Sequence, residues 1–158
     1  MAGKVDLHMH TVHSDGTLTT RELMARAQAV GLTTISITDH DNTGAIAEAL
    51  ALSDEFGIEV IAGTELSATF GGYDIHILGY FFDHTNAELQ RYLQLYRDER
   101  LKRAERIVEK LNDLNIPITL EAVLEKAGTG SVGRPHIANA LLEEGLTETY
   151  HEAFYKYI

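Results

Sequence analysis

The chain contains no cysteine. That absence excludes a disulfide scaffold, a thiolate metal site and a cysteine nucleophile. No apolar run approaches the roughly 18 residues of a membrane helix, and no signal-peptide pattern opens the chain. The expected setting is cytoplasmic, with no membrane partner. Basic residues are scarce, with 13 Lys and Arg against 24 Asp and Glu and a net charge of -11. This balance argues against a broad basic face for nucleic acid and suits carboxylates gathered around metal cations. What the 158 residues do hold is 44% apolar side chains, enough for the core of one ordinary domain.

The shortage of basic groups is concentrated in residues 1–85, where only Lys4, Arg21 and Arg26 occur. There, short β-rich runs at 5–10, 33–38, 58–62 and 73–82 alternate with helical patterns. The capping box Thr19-x-x-Glu22 starts one helix and Gly31 stops it. A second helix spans about 43–56 and closes at Gly57. Strands separated by helices predict parallel pairing through right-handed crossovers. Residues 86–158 read as a helical subdomain. A long helix follows the capping box Thr85-x-x-Glu88, and shorter ones cover about 120–126, 135–144 and 149–158. On the long helix Arg97, Arg100, Lys102, Arg103, Arg106 and Lys110 interleave with Glu99, Glu105 and Glu109, which predicts a solvated face. Tyr73, Tyr80, Phe81 and Phe82 are expected to pack in the core and at its rim.

Four polar groups stand at or near these strands. Asp6-Leu7-His8-Met9-His10 is followed by Ser14-Asp15-Gly16; Thr38-Asp39-His40-Asp41 ends the second strand; Gly63-Thr64-Glu65 follows the third; Asp74-Ile75-His76 lies in the fourth. Residues two apart on a strand share a face, so His8 and His10 are able to serve one ion together. The C-terminal ends of parallel strands share one rim, where such residues converge. Imidazoles and carboxylates without sulfur suit zinc, manganese or iron. A polynuclear metal site is the expected outcome.

The set DLHMHT-x-x-SDG, TDHD, GTE and YDIHILGY closely resembles the PHP (polymerase and histidinol phosphatase) family of metal-dependent phosphoesterases. The later stretch GRPHIA, residues 133–138, is similar to that family's small-nucleotide phosphoesterase branch. The resemblance implies an α/β fold, the N-terminal part of a distorted (β/α)7 barrel with a helical insert. It divides the chain into a metal-binding β/α part, 1–85, and an inserted helical subdomain, 86–158. It implies up to three divalent ions of manganese, zinc or iron. His8 and His10 would be ligands of the first, Glu65 would bridge the first and second, His76 would be a ligand of the second, and Asp15 and His40 would be ligands of the third, each ion still lacking one protein ligand. Asp15 and Glu65 are the expected catalytic carboxylates. The family's later ligands, in AHP-like and D-x-H motifs, do not occur here, so the chain resembles the first half of a longer enzyme.

The activity so implied is hydrolysis of a phosphate ester on a small phosphorylated nucleotide or short oligonucleotide. Clustered cations neutralise the phosphate, and a metal-bridging hydroxide attacks phosphorus. Arg134 precedes Pro135, a favourable first helical residue, and is expected to hold a phosphate with help from His136. The preferred reading is a 3′,5′-nucleoside bisphosphate phosphatase. A 5′-to-3′ exonuclease on short RNA is the alternative, and a non-catalytic metal-binding fragment is the alternative of a different class. A partial barrel leaves an open sheet edge, through which self-association is expected.

Overall fold

The computed structural model describes residues 3–158. Strands β1 (Lys4–Met9), β2 (Leu32–Ile37), β3 (Glu59–Phe70) and β4 (Tyr73–Tyr80) form one sheet in that order. Helices α1 (Thr20–Ala29) and α2 (Ile46–Phe56) connect the first three strands, which pair in parallel. The Thr19 side chain accepts the Glu22 amide while the Glu22 carboxylate accepts the Thr19 amide, so the capping box legible in the sequence starts α1. Gly57 ends α2 at φ 63°, where a side chain would be strained. Met24 and Ala27 of α1, with Ala49 and Leu52 of α2, close over Ile35, Ile37 and Ile58. Each large aliphatic side chain buried here contributes roughly 1.5–3 kcal/mol.

The fourth strand corrects the parallel expectation. β4 runs antiparallel to β3, from Phe70 opposite Tyr73 to Gly63 opposite Tyr80. The link is the two-residue turn Gly71-Gly72, with φ 59° and 85°. Positive φ at both central residues is what a tight hairpin demands, and glycine supplies it at least cost. β3 is correspondingly longer than the sequence suggested. Its first residues, Glu59–Ala62, pair with β2, and the rest pair with β4. The GTE motif therefore lies inside a strand that changes partner.

Helices α3 (Ala87–Asp113), α4 (Leu120–Ala127), α5 (Arg134–Glu143) and α6 (Tyr150–Lys156) follow. Asn86, rather than Thr85, caps α3 by accepting the Leu89 amide; Thr85 bonds to Asp83 instead. A second core forms around Val108, Leu111, Val123, Ile137 and Leu141. On α3, Lys102, Arg106 and Lys110 are exposed as expected, but Arg100 and Arg103 depart from the solvated face. Arg100 is buried, Arg103 is half-buried, and both turn toward the sheet. Tyr73 and Phe81, expected as packing residues, lie exposed at the surface. β1 is an edge strand with Val5 and Leu7 exposed. Among the described residues no helix is long and apolar enough to cross a membrane.

Candidate metal centre

The pairing of β2 with β3 continues beyond the end of β2. The Asp41 amide donates to the Glu65 carbonyl at 2.9 Å, and the Glu65 amide donates to the Asp39 carbonyl at 3.2 Å. His40 is thereby held beside Glu65. On the hairpin, Ser67 faces His76 across the strands and Glu65 faces Leu78. Glu65 and His76 are diagonal neighbours on one face, a spacing that long side chains bridge. His76 Nδ1 lies 2.6 Å from Glu65 Oε1. From β1, His8 Nε2 reaches the other oxygen, Oε2, at 2.8 Å, and His10 Nε2 lies 3.2 Å from it. His10 Nδ1 and His40 Nε2 then flank Asp15, at 3.3 and 3.4 Å from its two oxygens.

Among the described residues three donor groups result: His8 with His10 and Glu65; His10 with Asp15 and His40; and His40 with Glu65 and His76. Within each group the donor atoms lie within 4.8 Å of one another. The six residues singled out in the sequence thus occupy one place. His10 and His40 each belong to two groups, which the residue-by-residue resemblance did not imply.

The electrostatics follow from the crowding. Burial pushes the Asp15 carboxyl up, but the hydrogen bond and charge of His40, with His10 beside it, outweigh this and hold it far below the usual carboxylate range. Glu65 behaves alike: burial raises it, and His8, His40 and His76 more than reverse the effect. The His10 imidazole is pushed down, first by burial and then by the neighbouring His40, against the pull of Asp15 and Glu65. Both carboxylates are ionised and ready to accept. His40 Nδ1 is buried and has no hydrogen-bond partner. A buried nitrogen without a partner, facing Glu65 Oε2 at 3.6 Å, is costly unless something fills the space between them. A divalent cation fits that donor set, because the residues supply only nitrogen and carboxylate oxygen.

A ring of supporting contacts fixes these side chains, and sequence reasoning assigned it no role. Asp39 is buried and accepts three hydrogen bonds: from the Thr11 amide at 2.7 Å, the Thr11 hydroxyl at 2.6 Å and the Ser14 hydroxyl at 2.6 Å. It ties down the loop that presents Asp15. Asp41, at φ 48° and fully buried, accepts from the Ser67 amide and hydroxyl and from Arg100 Nε. The available signal was the alternation in Thr38-Asp39-His40-Asp41. Carboxylates on either side of a central imidazole face away from it and must find donors elsewhere.

Arg134 lies outside the six, whereas His136 stands beside the loop that carries Asp15. Arg134, at the first turn of α5, is partly exposed, with Nη2 3.9 Å from Asp74 Oδ2. His136 is buried, and its Nδ1 accepts the Gly133 amide at 2.9 Å, capping the helix that carries it.

A family model described as the PHP domain matches residues 6–154. A 5′-3′ exoribonuclease of Haemophilus influenzae is 38% identical over 158 residues, spanning 100% of this chain and 57% of the relative. A 3′,5′-nucleoside bisphosphate phosphatase of Chromobacterium violaceum is 32% identical over 155 residues, 98% of this chain and 54% of the relative. A solved structure of a Bifidobacterium adolescentis protein assigned as a metal-dependent phosphoesterase superposes with a TM-score of 0.88 at 38% identity. It covers 99% of this chain and 55% of that one. The chain spans about half the length of the relatives it matches.

Proposed function

This chain belongs to the PHP domain family, and from that premise we propose that His8, His10, Asp15, His40, Glu65 and His76 hold divalent metal ions in a centre that hydrolyses a phosphate ester on a nucleotide. The observation that carries the reading is the buried, unpartnered Nδ1 of His40 amid three groups of nitrogen and carboxylate donors. Manganese, zinc or iron ions, up to three, would neutralise phosphate oxygens and lower the pKa of bound water toward neutrality.

The chain's own residues do the rest. Glu65 turns Oε1 to His76 and Oε2 to His8 and His10, so one carboxylate spans two donor groups. Asp15, kept ionised by His40 and His10, has no proton to give and is suited to donating a carboxylate oxygen to a cation. Asp39 holds the Asp15 loop still. Arg134, at the mouth of α5, offers a planar pair of donors that suits a phosphate. His136 is suited to orienting that turn through the Gly133 amide.

The preferred substrate is a 3′,5′-nucleoside bisphosphate, in keeping with GRPHIA and with the Chromobacterium relative. The Haemophilus relative, more similar over the same span, favours a second reading: 5′-to-3′ removal of nucleotides from short RNA. The test compares the chain with His8→Ala for manganese binding and for phosphate release from 3′-phosphoadenosine 5′-phosphate. Manganese binding and release that both depend on His8 are expected. No manganese binding by the unaltered chain overturns the proposal. Binding without turnover makes the chain a metal-holding part of a longer catalyst.

A further inference from the structure

The loop that presents Asp15 is open on one side. A cavity of about 330 Å³ borders Val12, Ser14 and Gly16 and reaches across to Lys126 and Thr129 at the end of α4. Beside this gap runs the glycine-rich link between α4 and α5, residues 128–133. The Ser131 amide donates to the His13 carbonyl at 2.8 Å, and Asn42 Nδ2 donates to the same oxygen at 2.7 Å. The Asp15 loop, the turn after His40 and the link therefore meet at one carbonyl. At Gly130 a Cβ would stand 2.6 Å from the Val12 carbonyl oxygen and 2.9 Å from the His13 carbonyl carbon, so the two backbones approach as only glycine allows. Val132, further along the link, is buried in the helical core and anchors it there.

His136 makes a second connection from the same side. Its Nδ1 accepts the Gly133 amide at 2.9 Å. An amide only donates, so that nitrogen is unprotonated and the neutral ring carries its hydrogen on Nε2. The Ser14 backbone carbonyl also hydrogen-bonds to the ring. A carbonyl only accepts, so Nε2–H is the donor. Ser14 passes this contact on. Its hydroxyl donates to Asp39 at 2.6 Å and stands 3.2 Å from His10 Nδ1 and 3.4 Å from Asp15 Oδ1. One imidazole thus bridges the first turn of α5 and the loop that carries Asp15.

We infer that His136 and Gly130 are positioning residues for Asp15. Through the Ser14 carbonyl and the Val12–His13 backbone they hold the loop where Asp15 meets His10 and His40. The inference rests on reading that group as a metal site. It gives His136 the support of a ligand as its task, in place of the substrate contact expected from the sequence. Both ring nitrogens are engaged by backbone, which leaves neither for a phosphate.

The test uses the full chain and two substitutions that each keep one half of the imidazole's bonding. Asn places its side-chain oxygen where Nδ1 stands, and Gln places its amide nitrogen near Nε2. His136→Gln keeps a donor for Ser14 and is expected to hold manganese affinity within about threefold of the unaltered chain. His136→Asn keeps the acceptor for Gly133 but loses Ser14, and is expected to weaken manganese binding roughly tenfold. A role confined to capping α5 predicts the reverse order. That order, or equal affinity in the two variants, overturns the inference. A second measurement is hydrogen exchange in chelator. The Ser14 and Gly16 amides, which donate to the Thr11 carbonyl, are expected to exchange about tenfold faster in His136→Asn and in Gly130→Ala than in the unaltered chain. Gly145→Ala, at φ 68° with open space around it, strains the chain elsewhere and is expected to leave their exchange unchanged. Equal acceleration in Gly145→Ala, or none in the other two, overturns the inference. Exchange is read without metal, so it judges the hold on the loop by itself. No manganese binding by the unaltered chain removes the metal reading, whereas intact binding with unaltered exchange in the variants removes the positioning assignment alone.

Discussion

Arg100 crosses from α3 to Asp41 and closes a buried ion pair, Nε to Oδ2 at 2.5 Å, with its Nη2 on the Ser67 hydroxyl at 2.8 Å. This contact joins the helical half of the chain to the turn that follows His40. Removing the arginine leaves a fully buried carboxylate without its charge partner. Arg100→Ala is expected to cost about 3–5 kcal/mol, since breaking one side of a buried pair strands the other. Urea unfolding measures it. A loss under about 1 kcal/mol, the scale of an exposed pair, would show that water reaches Asp41.

Asp39 touches none of the candidate substrate and is expected to matter through Thr11 and Ser14. With Asp39→Asn one oxygen becomes an amide that repels the donors now bonded to it. Manganese affinity is expected to fall roughly 10- to 100-fold, the usual effect of losing an outer hydrogen-bond partner of a ligand loop. Far-ultraviolet dichroism should stay unchanged. Unaltered affinity would show that Asp15 holds its place without this anchor.

Gly16 sits where a Cβ would overlap the backbone carbonyl of His10 and the amide of Thr11. Neither obstacle is a side chain that is able to swing aside. Gly16→Ala is expected to destabilise the fold by about 1–3 kcal/mol through forced backbone movement. It should also weaken metal binding, because His10 and Asp15 flank the displaced segment. Thermal melting read alongside a manganese titration checks both, and a silent substitution would count against the packing described.

The pH dependence of stability carries a sign that His136 sets. Burial pushes its imidazole below the ordinary value of 6.5, and the opposing influence of Asp15 and of the Ser14 and Gly133 backbone does not reverse this. The folded chain thus binds this proton less readily than the unfolded one. The stability involved is present above the unfolded pKa of roughly 6.5 and is lost as pH falls through the folded value. His10 is shifted in the same direction, so the comparison needs His136→Asn beside the unaltered chain. The urea midpoint is expected to drop less in that variant between about pH 7.5 and about pH 5.5. Equal drops would assign no part to His136.

Much of the architecture was legible because local rules decided it. Thr19 and Glu22 announce α1, Gly57 announces the end of α2, and the β-branched run at 33–37 lies in the second strand. The two-residue spacing of His8 and His10 brought them to one carboxylate. The direction of β4 was misjudged because the Gly-Gly pair between Phe70 and Tyr73 is a hairpin signal that competes with the alternation of strand and helix before it. Arg100 and Arg103 depart from the expected solvated face for another reason. Their interleaved glutamates suggest solvent, but the partners that bury Arg100 and engage Arg103, Asp41 and Asp74, lie 59 and 29 residues away. No local pattern carries that information. Asp39 and Asp41 escaped assignment because their donors are likewise remote in the chain.

The donors precede α3 in the chain, and that order bears on how the protein is made. The candidate metal donors all lie between residues 8 and 76, and the arginines that answer Asp41 and Asp74 begin only at residue 97. Chains emerge from the ribosome N-terminus first. The growing polypeptide therefore acquires its imidazoles and carboxylates before it has a guanidinium from α3 to set against them. A cation captured at that stage meets an open sheet with no helix across the hairpin. One that arrives after synthesis meets the same donors with α3 already laid across the hairpin and its Arg100 and Arg103 paired to Asp41 and Asp74.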